Sequence, residues 1–171
     1  MNFHMLKSYY LVIFSALLLS VSCRRSGSEA RLPSKPGKED MEEVNRYLVR
    51  KDREVILNYI ERKNLKMTES PAGLWYMVKK QGTGDYLKDN DHIIMDFECS
   101  LLDGTLCYSS SEQGPKDIII GRSDIEPGMN EGLKLLRRGA EAIFILPPFL
   151  AYGLVGDGKK IPPRSTILYN V

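Results

Sequence analysis

Apolar residues follow three different patterns along this chain. Positions Tyr9 to Leu19 (Tyr-Tyr-Leu-Val-Ile-Phe-Ser-Ala-Leu-Leu-Leu) form an uncharged run that follows Lys7. Between Lys38 and Leu65, Met41, Val44, Leu48, Val55, Ile56, Tyr59 and Ile60 recur at helical spacing among acidic and basic residues, which predicts an amphipathic helix. Glu39-Asp40 at its start and Arg62-Lys63-Asn64 at its end suit the two poles of the helix dipole. The pattern fits one helix or two shorter ones broken near Lys51-Asp52. Its apolar stripe needs a cover, either the chain's own domain or a second copy in a dimer.

Beyond Thr68 the period shortens, and apolar stretches alternate with Gly, Asp, Asn and Pro, as antiparallel strands with tight turns do. Strands are expected at Leu74–Val78, Ile93–Leu101, Thr105–Tyr108, Ile118–Ile120, Glu141–Leu146 and Thr166–Tyr169. Gln81–Asp85 reads as a turn, and Asp103-Gly104 as the hairpin turn that glycine's positive φ permits. A short helix is expected from Met129 to Leu136, closed by Arg137-Arg138-Gly139 as a basic last turn and cap. Many strands and one short covering helix predict an α+β domain.

Length and composition narrow the reading. The chain has 171 residues, 43% hydrophobic and 27% charged, with net charge +2. That suits one globular domain plus a targeting segment and gives no electrostatic reason to bind nucleic acid. The run at 9–19 is shorter than the about 20 residues a membrane span needs and ends in Ser20-Val21-Ser22-Cys23, the layout of a signal peptide. The stretch 1–22 resembles a bacterial lipoprotein signal, with Cys23 as the lipidated residue, although Ser20 stands where Leu is usual. An uncleaved anchor helix is the other reading. Residues 23–38, rich in Gly, Ser, Pro and charge, read as a flexible tether. The helical segment then occupies 39–66 and the main domain 67–171.

The motifs Gly82-Thr83-Gly84, Leu102-Asp103-Gly104 followed by Ser109-Ser110, Ile120-Gly121 through Pro127-Gly128-Met129-Asn130-Glu131-Gly132, Leu146-Pro147-Pro148-Phe149-Leu150-Ala151-Tyr152-Gly153, and Ile161-Pro162-Pro163-Arg164-Ser165-Thr166-Ile167 occur in this order. Together they resemble the FKBP family of peptidyl-prolyl isomerases, and the leader and helix are similar to those of extracytoplasmic FKBP lipoproteins, including gliding-motility-associated ones. The resemblance implies a bent antiparallel sheet wrapped over a short helix, with an apolar pocket for a prolyl residue and no cofactor or metal. An X-Pro bond is held by a barrier of about 18–20 kcal/mol from amide resonance. Desolvating and twisting the amide weakens that resonance, so no nucleophile is needed.

By the same resemblance, Tyr152 is the pocket tyrosine whose hydroxyl donates to the bound peptide. Phe97, Ile161 and Tyr169 are its apolar and aromatic walls. Ile125 supplies bulk, and Glu126 is expected to face the ligand through its backbone N–H, with its side chain of little consequence. Met129 replaces the usual floor Trp, Cys107 and Tyr108 replace a Phe-Asp pair, and Lys116 falls where Phe is common. If the hairpin holds one extra residue, Tyr108 takes the Phe position. The implied partners are proline-containing peptides and unfolded exported proteins at the cell envelope, with a lipid membrane reached through Cys23. A non-catalytic chaperone or assembly module is the rival function. Cys99 and Cys107 flank the hairpin as two buried thiols or as a disulfide, depending on register. Asp157–Lys160 reads as a solvated loop tip, and the last strand as a short edge that leaves Tyr169 near a fraying end.

Overall fold

The computed structural model describes residues 37–122 and 125–171. The signal-like leader, Cys23 and nearly all of the expected tether lie outside the described residues. Among those described, no helix is long and apolar enough to cross a membrane.

Helix α1 (Lys38–Arg62) is continuous over 25 residues. No Gly or Pro interrupts it, and the suspected break at Lys51-Asp52 is instead stabilised by charge. Lys51 pairs with Glu54 at 2.7 Å, and Asp52 is held by Arg164 at 2.7 Å. The helix stops where Asn64 enters the left-handed region at φ 51°, so that the Leu65 N–H reaches back to the Ile60 carbonyl at 3.0 Å, a Schellman closure with Asn in the usual glycine position.

The strands are β1 (Thr68–Glu69), β2 (Trp75–Lys80), β3 (Thr83–Tyr86), β4 (His92–Met95), β5 (Glu98–Leu101), β6 (Leu106–Ser109), β7 (Lys116–Ile119), β8 (Arg137–Arg138), β9 (Glu141–Leu146) and β10 (Ile167–Asn170). A six-stranded sheet runs β1-β2-β9-β10-β5-β6, and β3-β8 and β4-β7 form two small ladders. All pairings are antiparallel. Two further short helices are α2 (Ser110–Gln113) and α3 (Pro127–Lys134), and a 3-10 turn covers Pro148–Leu150.

Period-two alternation divides the central strands between two apolar clusters. Phe144, Leu146, Ile167 and Tyr169 join α3's Met129 and Leu133 on one face. Trp75, Ile143, Ile145 and Leu168 meet Ile56 of α1 on the other. The sheet is thus buried on both sides, and the α+β reading with an added N-terminal helix holds. Gly132 allows the close approach of α3, since a Cβ there would stand 2.9 Å from the Phe144 ring.

Four expectations need correction. The stretch Ile93–Leu101 is two strands in different sheets, because the chain bends at Asp96-Phe97. There Ser110 takes over Phe97's backbone bonding, donating its N–H to the Phe97 carbonyl at 2.8 Å. Arg137-Arg138 is not a helical last turn: α3 ends at Lys134, and the two arginines pair with β3, with Arg137 over the Tyr86 ring at 4.5 Å. Residues 83–85, read as part of a turn, form that partner strand together with Tyr86. Finally, β10 lies between β9 and β5 rather than at an edge, and Tyr169 is fully buried.

Candidate functional site

Several loops and strand ends deliver the singled-out residues to one place. Phe97 comes from the bend before β5, Cys107 and Tyr108 from β6, and Lys116 from the start of β7. Ile125 and Glu126 lead into α3, which carries Met129. Tyr152 follows the 3-10 turn, Ile161 precedes Pro162-Pro163, and Tyr169 lies in β10. Phe97, Cys107, Met129, Ile161 and Tyr169 are buried in one apolar cluster, against which Tyr108, Ile125 and Tyr152 pack partly exposed. The Phe97 and Tyr169 rings are tilted at 49° with centroids 6.2 Å apart, a favourable aromatic geometry.

Into this cluster the fold inserts a carboxylate. Glu126 is 7% exposed, and its Oε1 accepts hydrogen bonds from the hydroxyls of Tyr152 at 2.5 Å and Tyr169 at 2.7 Å. Its Oε2 is buried without a partner among the described residues. The Lys116 ammonium lies 4.8 Å from the Phe97 ring centroid and 5.9 Å from that of Tyr169, within cation–π range. Burial pushes the Glu126 pKa up, but the Lys116 charge and the two phenol bonds outweigh it and hold the carboxyl below its ordinary value. The group is therefore ionised near neutrality. Burial, then the bond to and charge of Glu126, push the Tyr152 phenol well up. Burial and the Glu126 charge do the same for Tyr169. Both phenols stay protonated and donate.

This geometry corrects one expectation: the Glu126 side chain is a central member of the cluster rather than a bystander. The hydroxyl of the partly buried Tyr152, expected to donate to a bound peptide, here donates to Glu126 Oε1. The signal in the sequence was a complementary pair of departures, an acid directly before Pro127 and a lysine at 116. Their proximity is a property of the fold alone.

A second network shapes the loop bearing Ile161. Asp157 Oδ1 accepts the Lys159 and Ile161 N–H groups at 2.9 and 2.8 Å, while Oδ2 receives the Tyr108 hydroxyl. Asp157 thus fixes this loop, in which Gly158, Lys159 and Lys160 are exposed as expected of a solvated tip. Cys99 and Cys107 are free and buried; β5–β6 pairing sets Cys99 opposite Tyr108, with a register shift beside it. Burial pushes the Cys99 thiol up to about 12 and raises Cys107 as well. Since only thiolates react readily, both thiols should modify at least about tenfold more slowly in the native chain at pH 8 than in guanidinium, measured with a disulfide reagent. Equal rates would contradict the packing of β5 on β6.

Residues 84–171 match the family model described as FKBP-type peptidyl-prolyl cis-trans isomerase. The chain is 37% identical over 100 residues to the probable FKBP-type isomerase FkpA of Neisseria meningitidis serogroup B, covering 58% of this chain and 36% of the relative. It is 34% identical over 102 residues to FkpA of Escherichia coli K12, covering 60% and 37%. These matches span well under half the length of those curated relatives. Among solved structures, FkpA from Escherichia coli superposes with a TM-score of 0.61 at 28% identity, covering 80% of this chain and 71% of that one. AtFKBP13 gives 0.57 at 28% identity, covering 61% and 94%. With more than half of its length inside the family match, in motif order and in a shared fold, the chain belongs to the FKBP-type peptidyl-prolyl cis-trans isomerase family.

Proposed function

We propose that this protein catalyses cis/trans isomerisation of X-Pro bonds in exported proteins as they fold, at the cluster formed by Phe97, Met129, Tyr152, Ile161 and Tyr169. The observation that carries the reading is the convergence of these five residues, from separate segments, into one aromatic and apolar site. Ile125, Cys107 and Tyr108 complete its surroundings. Such a site desolvates the prolyl amide and favours the twisted, weakly resonant state over either planar isomer. The uncatalysed reaction takes tens of seconds, slow enough to limit folding.

The leader-like run and Cys23 support a lipid-anchored protein of the bacterial cell envelope, on the periplasmic side of the outer membrane. The exposed apolar residues Met41, Val44 and Tyr47 on the first half of α1 support a homodimer contact there. A non-catalytic peptide-holding module is favoured by one observation, the engagement of the Tyr152 hydroxyl by Glu126.

A proline-peptide isomerisation assay decides between them. The full-length chain should accelerate the reaction, and Phe97→Ala should lower kcat/KM by about tenfold or more through loss of a buried aromatic wall. A folded protein that accelerates no peptide would leave only the module.

A further inference from the structure

The hydroxyls expected to greet a substrate are already engaged. Tyr152 and Tyr169 both donate to Glu126 Oε1, and a phenol has a single proton to donate. Among the described side chains that meet at the cluster, the donor left over is Lys116. Its ammonium sits over the two aromatic walls, Phe97 and Tyr169, with three N–H groups and a full charge. The residue is half-buried, and the described structure places no carboxylate within ion-pair distance of it.

Glu126 does not cancel that charge from a ligand's viewpoint. Its carboxylate is sealed inside, and two phenols already bond one oxygen, whereas Lys116 is the half-exposed member of the pair. The Lys116 charge acts on Glu126 strongly enough to help hold it ionised, so the lysine is kept in place electrostatically without being used up by a hydrogen bond. Phe97 and Tyr169 are buried, with the Lys116 ammonium over both rings, so a prolyl segment that reaches these walls does so beside a cation.

We infer that Lys116 is the specificity-determining residue of this prolyl site: it replaces Tyr152 as the donor to the bound peptide and selects segments with an acidic residue immediately before proline. This rests on the proposed isomerase reading for its catalytic form, but the selectivity is a property of binding. A carboxylate beside the prolyl ring pairs with the ammonium in a partly desolvated site, where a charged contact is worth more than at an open surface. A lysine at the same position meets like charge and is rejected.

The test uses the full-length chain and three peptides that differ only in the residue before proline: Glu, Leu or Lys. Each is followed for isomerisation rate and, separately, for affinity by fluorescence anisotropy. Wild type should prefer Glu over Lys by about tenfold in kcat/KM and in affinity, a preference that shrinks with salt. Lys116→Met keeps the linear apolar stem and should bring the ratio near one; Lys116→Arg keeps the charge and should preserve the preference. If no peptide is isomerised but the affinity ratio follows the charge at position 116, the isomerase reading fails and the selectivity stands. If Lys116→Met leaves both ratios as in wild type, or wild type has no preference, the assignment of Lys116 is overturned.

Discussion

Glu126→Ala should lower the stability of the protein by about 2–6 kcal/mol, since each of two hydroxyls that lose their acceptor costs about 1–3 kcal/mol. Two donors depend on Glu126 Oε1, the fully buried Tyr169 hydroxyl at 2.7 Å and the half-buried Tyr152 hydroxyl at 2.5 Å. Alanine removes the acceptor for both and leaves a void beside the two tyrosine hydroxyls. Glu126→Gln is the informative companion. Its amide oxygen still accepts from the tyrosines, so near neutral pH it should lose much less, and guanidinium midpoints at constant slope measure both. An alanine variant as stable as wild type would mean that the tyrosine bonds contribute nothing to the fold.

The same residue sets an acid limb. The folded-state pKa of Glu126 lies below the ordinary carboxylate value of 4.5, so the unfolded chain takes up its proton first as pH falls. By linkage, the stabilisation is present above about pH 4.5 and disappears as pH drops through the folded value. Wild type should therefore lose more stability than Glu126→Gln between neutral and strongly acidic pH. Parallel acid limbs for the two proteins would contradict a depressed carboxyl at this position.

Ile56→Ala should cost about 2–5 kcal/mol, the range for truncating a fully buried aliphatic side chain, and Ile56→Asp should cost more by placing a charge in an apolar interface. Ile56 is 1% exposed against Trp75, Ile143, Ile145 and Leu168. Arg164 secures the same helix from the loop after Pro162-Pro163, bonding Asp52 at 2.7 Å and the Leu48 carbonyl at 3.3 Å. Its own backbone sits in the left-handed region at φ 58°, an uncommon conformation for a non-glycine residue. Trp75 is the sole tryptophan and lies beneath the helix, so its fluorescence reports docking directly. In Ile56→Asp its emission should shift to the red, toward that of an exposed indole, before the rest of the domain unfolds. If the second half of α1 were only a dimer arm, the variant would change the oligomeric state and leave the Trp75 emission and the denaturation midpoint alone.

Much of this architecture is legible from local pattern. The α1 stripe, the apolar stretch Glu141–Leu146 and the Pro-Pro and Asp-Gly turns each follow from short-range periodicity and backbone chemistry. Legibility fails where partners come from far along the chain. Arg137-Arg138 carries a helix-ending signal, yet pairing with β3 decides its conformation. Ile93–Leu101 reads as one strand because the residue that redirects it, Ser110, stands well beyond its end. The Lys51-Asp52 pair resembles a helix break until Arg164 supplies a counter-charge.

At the candidate site, the resemblance carried by the ordered motifs named positions that the fold brings together, with Phe97, Cys107, Met129, Ile161 and Tyr169 in one buried cluster and Tyr108, Ile125 and Tyr152 packed against it. Their electrostatics were another matter. An acid before Pro127 and a lysine at 116 are each unremarkable in a linear chain, where water would solvate both. Folding removes that water from Glu126, gives it two phenols and sets Lys116 over the rings of Phe97 and Tyr169. Motif order was sufficient for the family, and the resemblance it carries supplied the candidate site. The charge inside it, and the loss of Tyr152 as a free donor, depended on three-dimensional proximity, because Coulomb energy and hydrogen bonding are set by distance and desolvation rather than by sequence separation.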